Sequence, residues 1–330
     1  MSFKFNFSSA DSDSDSEDAS AAAAPVTSKT HVESESLPAQ SHTLPALLSA
    51  VPRNLSYSHI PTVPPLPRRE LYDVRMQLMA EDDLSPASTA ARQVLVLGAE
   101  DIRTRVYEGG LKSWECSLDL AMYLSETEAA VLEGKAAVSL LELGCGTAVP
   151  SLFLFRRLLE RGGRARLVLA DYNVDVLRLV TVPNLLLVWA LTTKLGSAEE
   201  AGDLDASEEL RQEFLADLDR RGIAIELVSG SWGGGMLDIV GRDTFDLVLG
   251  SETIYSPATT PEFTQVLLHS LKKGGGKGLV AAKRIYFGVG GSVEDFVGGV
   301  EKLGWAVKTA RDVVDVGVGR VIVEVSHNIP

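Results

Sequence analysis

Short apolar runs separated by helical patterns constrain this chain more than any other feature. The runs fall at residues 138–143 (VSLLEL), 166–172 (RLVLADY), 224–229 (AIELVS), 245–250 (FDLVLG), 278–282, 306–309 and 320–326 (RVIVEVS). Helical patterns occupy 149–159, 174–191, 261–271 and 293–303, and Pro183 should kink the second of them. A strand with one wet face alternates apolar and polar residues, whereas these runs are apolar almost throughout, as strands covered on both faces must be. Alternation with helices then selects a parallel sheet between two helical layers. The expected fold class is α/β: a doubly wound, mostly parallel sheet of seven strands.

The flanking segments are different in kind. Residues 1–50 hold twelve serines and seven acidic residues against two basic ones, and five prolines follow between Pro52 and Pro67. Such a composition cannot offset its ordering entropy by burial, so residues 1–65 are expected to be a disordered acidic tail and 66–330 a single domain. Phe3, Phe5 and Phe7 alternate with polar residues, a pattern suited either to adding a strand to a sheet edge or to a frayed terminus. Residues 192–221 are acidic and polar, and are expected to be a surface insertion carrying a solvated helix.

Charge and cysteine content narrow the function. With 45 acidic and 31 basic residues the formal charge is -14, which opposes attraction to phosphate backbones and anionic lipid. Neither nucleic acid nor membrane is an expected partner. Two cysteines, Cys116 and Cys145, cannot build a disulfide framework or a multi-cysteine zinc site, and the five histidines have no metal-ligand spacing. The first residues lack an apolar leader segment, and apolar runs such as 185–191 are far shorter than the ~20 residues of a spanning helix. A reducing compartment, cytoplasm and nucleus, and a monomeric state are expected.

In a doubly wound sheet the ligand site lies beyond the carboxyl ends of the strands. The first strand-to-helix turn here is Gly144-Cys145-Gly146-Thr147. Two glycines permit a tight turn and close approach of the main chain to a ligand. The third glycine of a dinucleotide fingerprint would fall at position 149, where Val149 stands, so a nicotinamide cofactor fits poorly. Asp171 ends the second strand, 27 residues after Gly144, where a carboxylate can accept both ribose hydroxyls. It could instead cap the next helix, as could Asn173. Cys145 has no histidine near it in sequence, which makes packing the better account of it than nucleophilic catalysis.

The segments YEGGLKSWECSLDL, LELGCGTAVPSLFLF, LADYNVDVLRLVTVPNLLLVWA, SGSW, LGSETIY and AAKRIYFGVGGSVEDF together resemble the eukaryotic protein-histidine methyltransferases. The likeness runs from about Arg68 to Glu324, and the aromatic start is similar to fungal members. It implies a class I, Rossmann-like methyltransferase fold that uses S-adenosylmethionine, and no metal. It further implies cofactor contacts from Ser113, Trp114, Glu115, Cys116 and Ser117, from Gly144 and Gly146, from Asp171, Tyr172 and Asn173, from Gly230, Ser231 and Trp232 near the adenine, and from Ser251. Glu252 and Tyr255 stand where related protein methyltransferases place an acidic-x-x-Tyr motif, and are the expected catalytic pair on the substrate side. The implied substrate is a histidine of the third large-subunit ribosomal protein, a basic partner for an acidic enzyme. A lysine-directed enzyme on the same fold and a non-catalytic cofactor-binding scaffold are the competing readings.

Overall fold

The computed structural model describes residues 37–84, 109–127, 136–196, 200–314 and 318–327. The aromatic start and the Asp-Ser run lie outside the described residues.

Successive residues of a strand point to opposite faces, and in this sheet both faces are apolar. On the central strand β4 (Ala137–Leu143), Leu140 packs into one core with Leu167, Leu169, Leu227, Leu247 and Leu249. Its neighbour Leu141 packs into the other, with Val168, Val228, Val248 and Val280. The sheet runs β1-β7-β5-β4-β8-β9-β11-β10. Five of its strands are parallel: β7 (Ile223–Ser229), β5 (Arg164–Asp171), β4, β8 (Leu247–Ser251) and β9 (Lys277–Lys283). β11 (Arg320–His327) and β10 (Trp305–Val313) close one edge as an antiparallel pair. The doubly wound α/β class and the seven expected strands are present.

An eighth strand was not expected. β1 (Gln40–His42) joins the outer edge of β7 antiparallel, with Ser41 opposite Val228, inside the stretch assigned to a tail. Two more strands follow, β2 (Asn54–Ile60) and β3 (Leu66–Arg69), so the ordered fold begins well before Leu66. Proline content pointed the wrong way for a physical reason. Pro61, Pro64 and Pro65 occupy the bend between β2 and β3, and Pro67 sits on β3, an edge strand where no inward N–H is required. Leu55 and Leu66 beside them are fully buried.

The acidic insertion completes the same small sheet. β6 (Ala201–Asp205) pairs with β2 antiparallel, placing Leu204 opposite Leu55. The helix after it, Glu208–Arg221, is no purely solvated helix: Phe214 and Leu218 are buried, and Asp217 accepts a hydrogen bond at 2.8 Å from Nε1 of fully buried Trp189.

Pro183 does not break its helix, which continues from Val174 to Leu195. A π turn at Leu177–Thr181 precedes the proline and widens the coil there. Proline has no N–H for the carbonyl four residues back, Leu179, and Nη1 of buried Arg69 donates to that oxygen at 2.8 Å. At 22 residues this helix is long and apolar enough to cross a membrane, contrary to the estimate from apolar runs. In the fold, 83% of its most apolar window is buried in protein.

Candidate active site

The carboxyl ends of β4, β5, β7, β8 and β9 bring the expected residues to one edge of the sheet. Gly144 and Gly146 follow β4 with φ of +66° and +52°, a region L side chains rarely adopt. A Cβ on Gly144 would lie 2.7 Å from Thr253 Cγ2 and 3.7 Å from Trp232 Cη2, so the turn, the loop after β7 and the loop after β8 meet at this glycine. Trp232 is half-buried and edge-on to Phe263, with ring centroids 5.8 Å apart.

Asp171 is the junction between turn and second strand. Its Oδ2 accepts from Gly146 N at 2.9 Å and its Oδ1 from Asn173 N at 3.1 Å. Two backbone donors fix the orientation of this carboxylate at the sheet edge. Asn173 is the residue flanking the next helix, although its side chain makes no capping bond there. Gly230 N donates to Asp171 O at 3.1 Å, which ties in the third strand. Ser231 N donates to Leu37 O at 2.9 Å, and the segment of Leu37 to Ala39 crosses directly over Gly230. Tyr172 lies between Asp171 and Asn173 at the end of β5.

From the other side comes the segment ahead of the helix Glu115–Thr127. Ser113 Oγ is 2.9 Å from Thr147 Oγ1 in the glycine turn, and Trp114 Nε1 donates to Gly109 O at 3.0 Å. Glu115 is exposed and within 3.8 Å of both Lys283 and Arg320. Cys116 and Ser117 are both buried. Ser117 Oγ donates to Trp114 O at 2.6 Å, and Cys116 is fully buried, its thiol pushed up by burial and by the nearby Glu252 charge, which makes it inert as a nucleophile. Cys145 is buried too and pushed well up for the same first reason.

Ser251 ends β8, and Glu252 follows it with φ +55°, a rare conformation for a residue with a Cβ and one that strained functional loops retain. Its side chain is only 8% exposed, with Lys283 Nζ 3.7 Å from Oε1. The phenol of Tyr286 is pushed up by burial first and by Glu252 second, and its oxygen accepts from Lys283 N at 3.3 Å. Tyr255 packs edge-on to Tyr286 at 6.3 Å. Gly291 N donates to Tyr255 O at 2.9 Å, and a side chain at Gly291 would collide with that backbone. The expected pair therefore lies together, under the loop that follows β9.

Reading of the sequence missed Lys283 and Thr253 as parts of this site, whereas the stretch from Tyr286 to Ser292 was expected, from the family likeness, to shape the substrate entrance. Lys283 is the last residue of β9, and its position at a strand's carboxyl end was the available signal. Glu142, two residues before Gly144, was also missed: it is fully buried, receives Ser151 N at 3.0 Å, and is pushed up to about 8 by desolvation, with Asp171 adding to the rise. Among the described residues no group of three or more His, Cys, Asp or Glu is placed to hold a metal ion.

No family model matches the chain. Histidine protein methyltransferase 1 of Schizosaccharomyces pombe is 42% identical over 281 residues, covering 82% of this chain and 80% of that protein. Its namesake in Saccharomyces cerevisiae is 42% identical over 256 residues, 70% of this chain and 67% of that protein. A homolog in Rattus norvegicus is 32% identical over 234 residues, 70% and 60% of the two chains. Among solved structures, magnesium protoporphyrin IX methyltransferase of Synechocystis aligns with a TM-score of 0.39 at 8% identity, over 78% of this chain and 94% of that one. The fungal identity extends over most of both chains, and on that ground the chain belongs to the histidine protein methyltransferase 1 family.

Proposed function

We propose that this enzyme transfers a methyl group from S-adenosylmethionine to an imidazole nitrogen of a histidine in a basic large-subunit ribosomal protein, the third of that subunit. The observation that carries the reaction is Glu252, a buried carboxylate held in a strained backbone conformation beside the glycine turn. The fungal relatives, named as histidine protein methyltransferases, support the acceptor type. Resemblance and the charge of -14 support a basic ribosomal partner, met in cytoplasm or nucleus by a monomeric enzyme.

The residues at the sheet edge fit an adenosyl sulfonium ligand. Asp171 stands at the end of β5, braced by Gly146 N and beside the glycine turn, and the Trp232 indole borders Gly144 at the same edge. When bound, S-adenosylmethionine supplies a methyl group already activated by the positive sulfur that carries it. The protein then has to position the acceptor and exclude water.

Acceptor chemistry follows from protonation. A free imidazole has a pKa near ~6.5 and is mostly neutral at pH 7, so one nitrogen attacks while the other carries N–H. Glu252 can accept a hydrogen bond from that N–H, which fixes the tautomer and the attacking nitrogen, and it stabilises the positive charge that develops on the ring. Tyr255 and Tyr286 wall the ring position with aromatic edges. A lysine acceptor, with a pKa near ~10.4, would first have to lose a proton, a task poorly suited to a carboxylate whose charge is balanced by Lys283.

The test is incubation of the full chain with methyl-labelled S-adenosylmethionine and ribosomal proteins, then amino-acid analysis of the labelled product. Methylhistidine in one large-subunit protein is the expected result. Methyllysine, or no protein-bound label, overturns the proposal.

A further inference from the structure

A groove of about 360 Å³ opens between the helices Thr260–Ser270 and Val293–Lys302, walled by Pro257, Pro261, Phe296 and Leu303. It is continuous with the acceptor side of the site. Pro257 stands two residues after Tyr255, so their Cα atoms are at most about 7 Å apart. A Cβ on Gly290 would lie 3.6 Å from Pro257 Cγ, and Gly291, whose N–H donates to Tyr255 O, lines the groove. The loop between groove and tyrosines is a pinned turn: Ile285 and Ser292 pair antiparallel, and Tyr286 N donates to Gly291 O at 2.9 Å. Tyr286 packs on Tyr255, whereas Ile285, Phe287 and Val289 face water, Phe287 at 75% exposure. Single exposed apolar residues are ordinary, but three within five residues beside an apolar groove mark a contact surface. Its surroundings are acidic. The two helices carry exposed Glu262, Glu294, Asp295 and Glu301 against one base, Lys302, and Arg284 beside the loop is engaged by Asp312 at 2.5 Å.

We propose that this groove, with Phe287 and Val289 on its rim, docks the polypeptide stretch flanking the acceptor residue of the protein substrate, a basic stretch that places an apolar side chain between the two helices. The inference rests on the reading of Glu252 and Tyr255 as the acceptor side, and adds the surface that selects the sequence around the acceptor. A side chain that reaches Tyr255 leaves its own backbone outside the loop, and an extended strand advances ~3.3 Å per residue. The second or third residue from the acceptor therefore comes level with Pro257. An apolar side chain there leaves water for Phe296 and Leu303, while the surrounding carboxylates attract basic neighbours and repel acidic ones.

Two variants separate the groove from the fold. Gly299 lines the groove, and a Cβ there meets nothing within 4 Å, so Gly299→Leu fills the groove without a clash. Phe287→Ser removes a side chain that stands mostly in water. Three fluorescent nonapeptides with a central histidine are titrated against the full chain. The first has leucine at the third residue on each side and lysines elsewhere, the second has serine for leucine, and the third has glutamate for lysine. The first should bind most tightly and the other two roughly tenfold more weakly or worse. Both variants should lose a similar factor for the first peptide and little for the second. With ribosomal proteins as methyl acceptors the loss should fall on KM rather than kcat, and S-adenosylmethionine affinity by calorimetry should stay within about twofold. Equal binding of the leucine and serine peptides, tighter binding of the glutamate peptide, or undiminished binding of the first peptide by the folded variants overturns the inference. Methyllysine, or no label in ribosomal protein, overturns the proposed acceptor and leaves the peptide comparison intact.

Discussion

The backbone N–H of Gly146 donates to Asp171 Oδ2 at 2.9 Å, so the first strand's turn and the second strand's last residue form one unit. Asp171→Ala removes both the expected ribose acceptor and the brace of the turn. Hydrogen bonds to a charged group are worth about 1.5–3 kcal/mol each, so affinity for S-adenosylmethionine should fall at least tenfold. Calorimetric titration checks it, and unchanged affinity would remove Asp171 from the cofactor site.

Gly144→Ala places a methyl 2.7 Å from Thr253 Cγ2 at a backbone angle unfavourable for alanine. The left-handed conformation alone costs about 1–2 kcal/mol. A lower melting temperature and weaker cofactor binding are expected. Thr253→Ser, which removes the opposing methyl, should restore part of both but not the strain.

Glu252→Gln and Tyr255→Phe separate chemistry from binding. Loss of a charged acceptor at the reacting ring should lower kcat of Glu252→Gln by about 10²-fold or more, with cofactor affinity little changed. Tyr255→Phe keeps the ring that packs on Tyr286, so its effect should be smaller. Full turnover by both variants would dismiss the assignment.

Glu142 gives the pH dependence of stability a sign. Its folded pKa is about 8 against an ordinary 4.5, so between those values the folded state holds a proton that the unfolded state has lost. Stability tied to this group is fully present below about pH 4.5 and is lost as pH rises through about 8. Glu142→Gln keeps an acceptor for Ser151 N without the charge. It should melt higher than the wild type at pH 9, with the gap closing toward pH 5. A gap constant over that range would show that Glu142 is not the titrating group.

Arg69→Met leaves Leu179 O without the donor that stands in for the missing proline N–H. A buried, unsatisfied carbonyl costs about 1–3 kcal/mol, and Arg69 also bonds Asp73 and Gln77. Melting should fall by several degrees, and Pro183→Ala in that background should recover part of it, because alanine restores the N–H.

Much of the fold was legible because its signals are local. Apolar runs named all seven expected strands, and at the site the glycines at 144 and 146, Asp171 and Glu252 all stand at strand ends, where alternation of elements puts them on one edge. The small sheet was not legible, since β2 and β6 lie far apart in the chain and come together only in the fold. Proline composition cannot register that pairing.

The sequence by itself determined the order of strands and helices, the glycine turn and the acid that follows it, because each depends on residues within a few positions of one another. Only the tertiary structure decided that Lys283 would face Glu252, that Arg69 would repair the helix at Pro183, and that Glu142 would be buried enough to hold its proton. Those relations depend on distance and solvent exclusion between segments far apart in the chain, which no local pattern encodes.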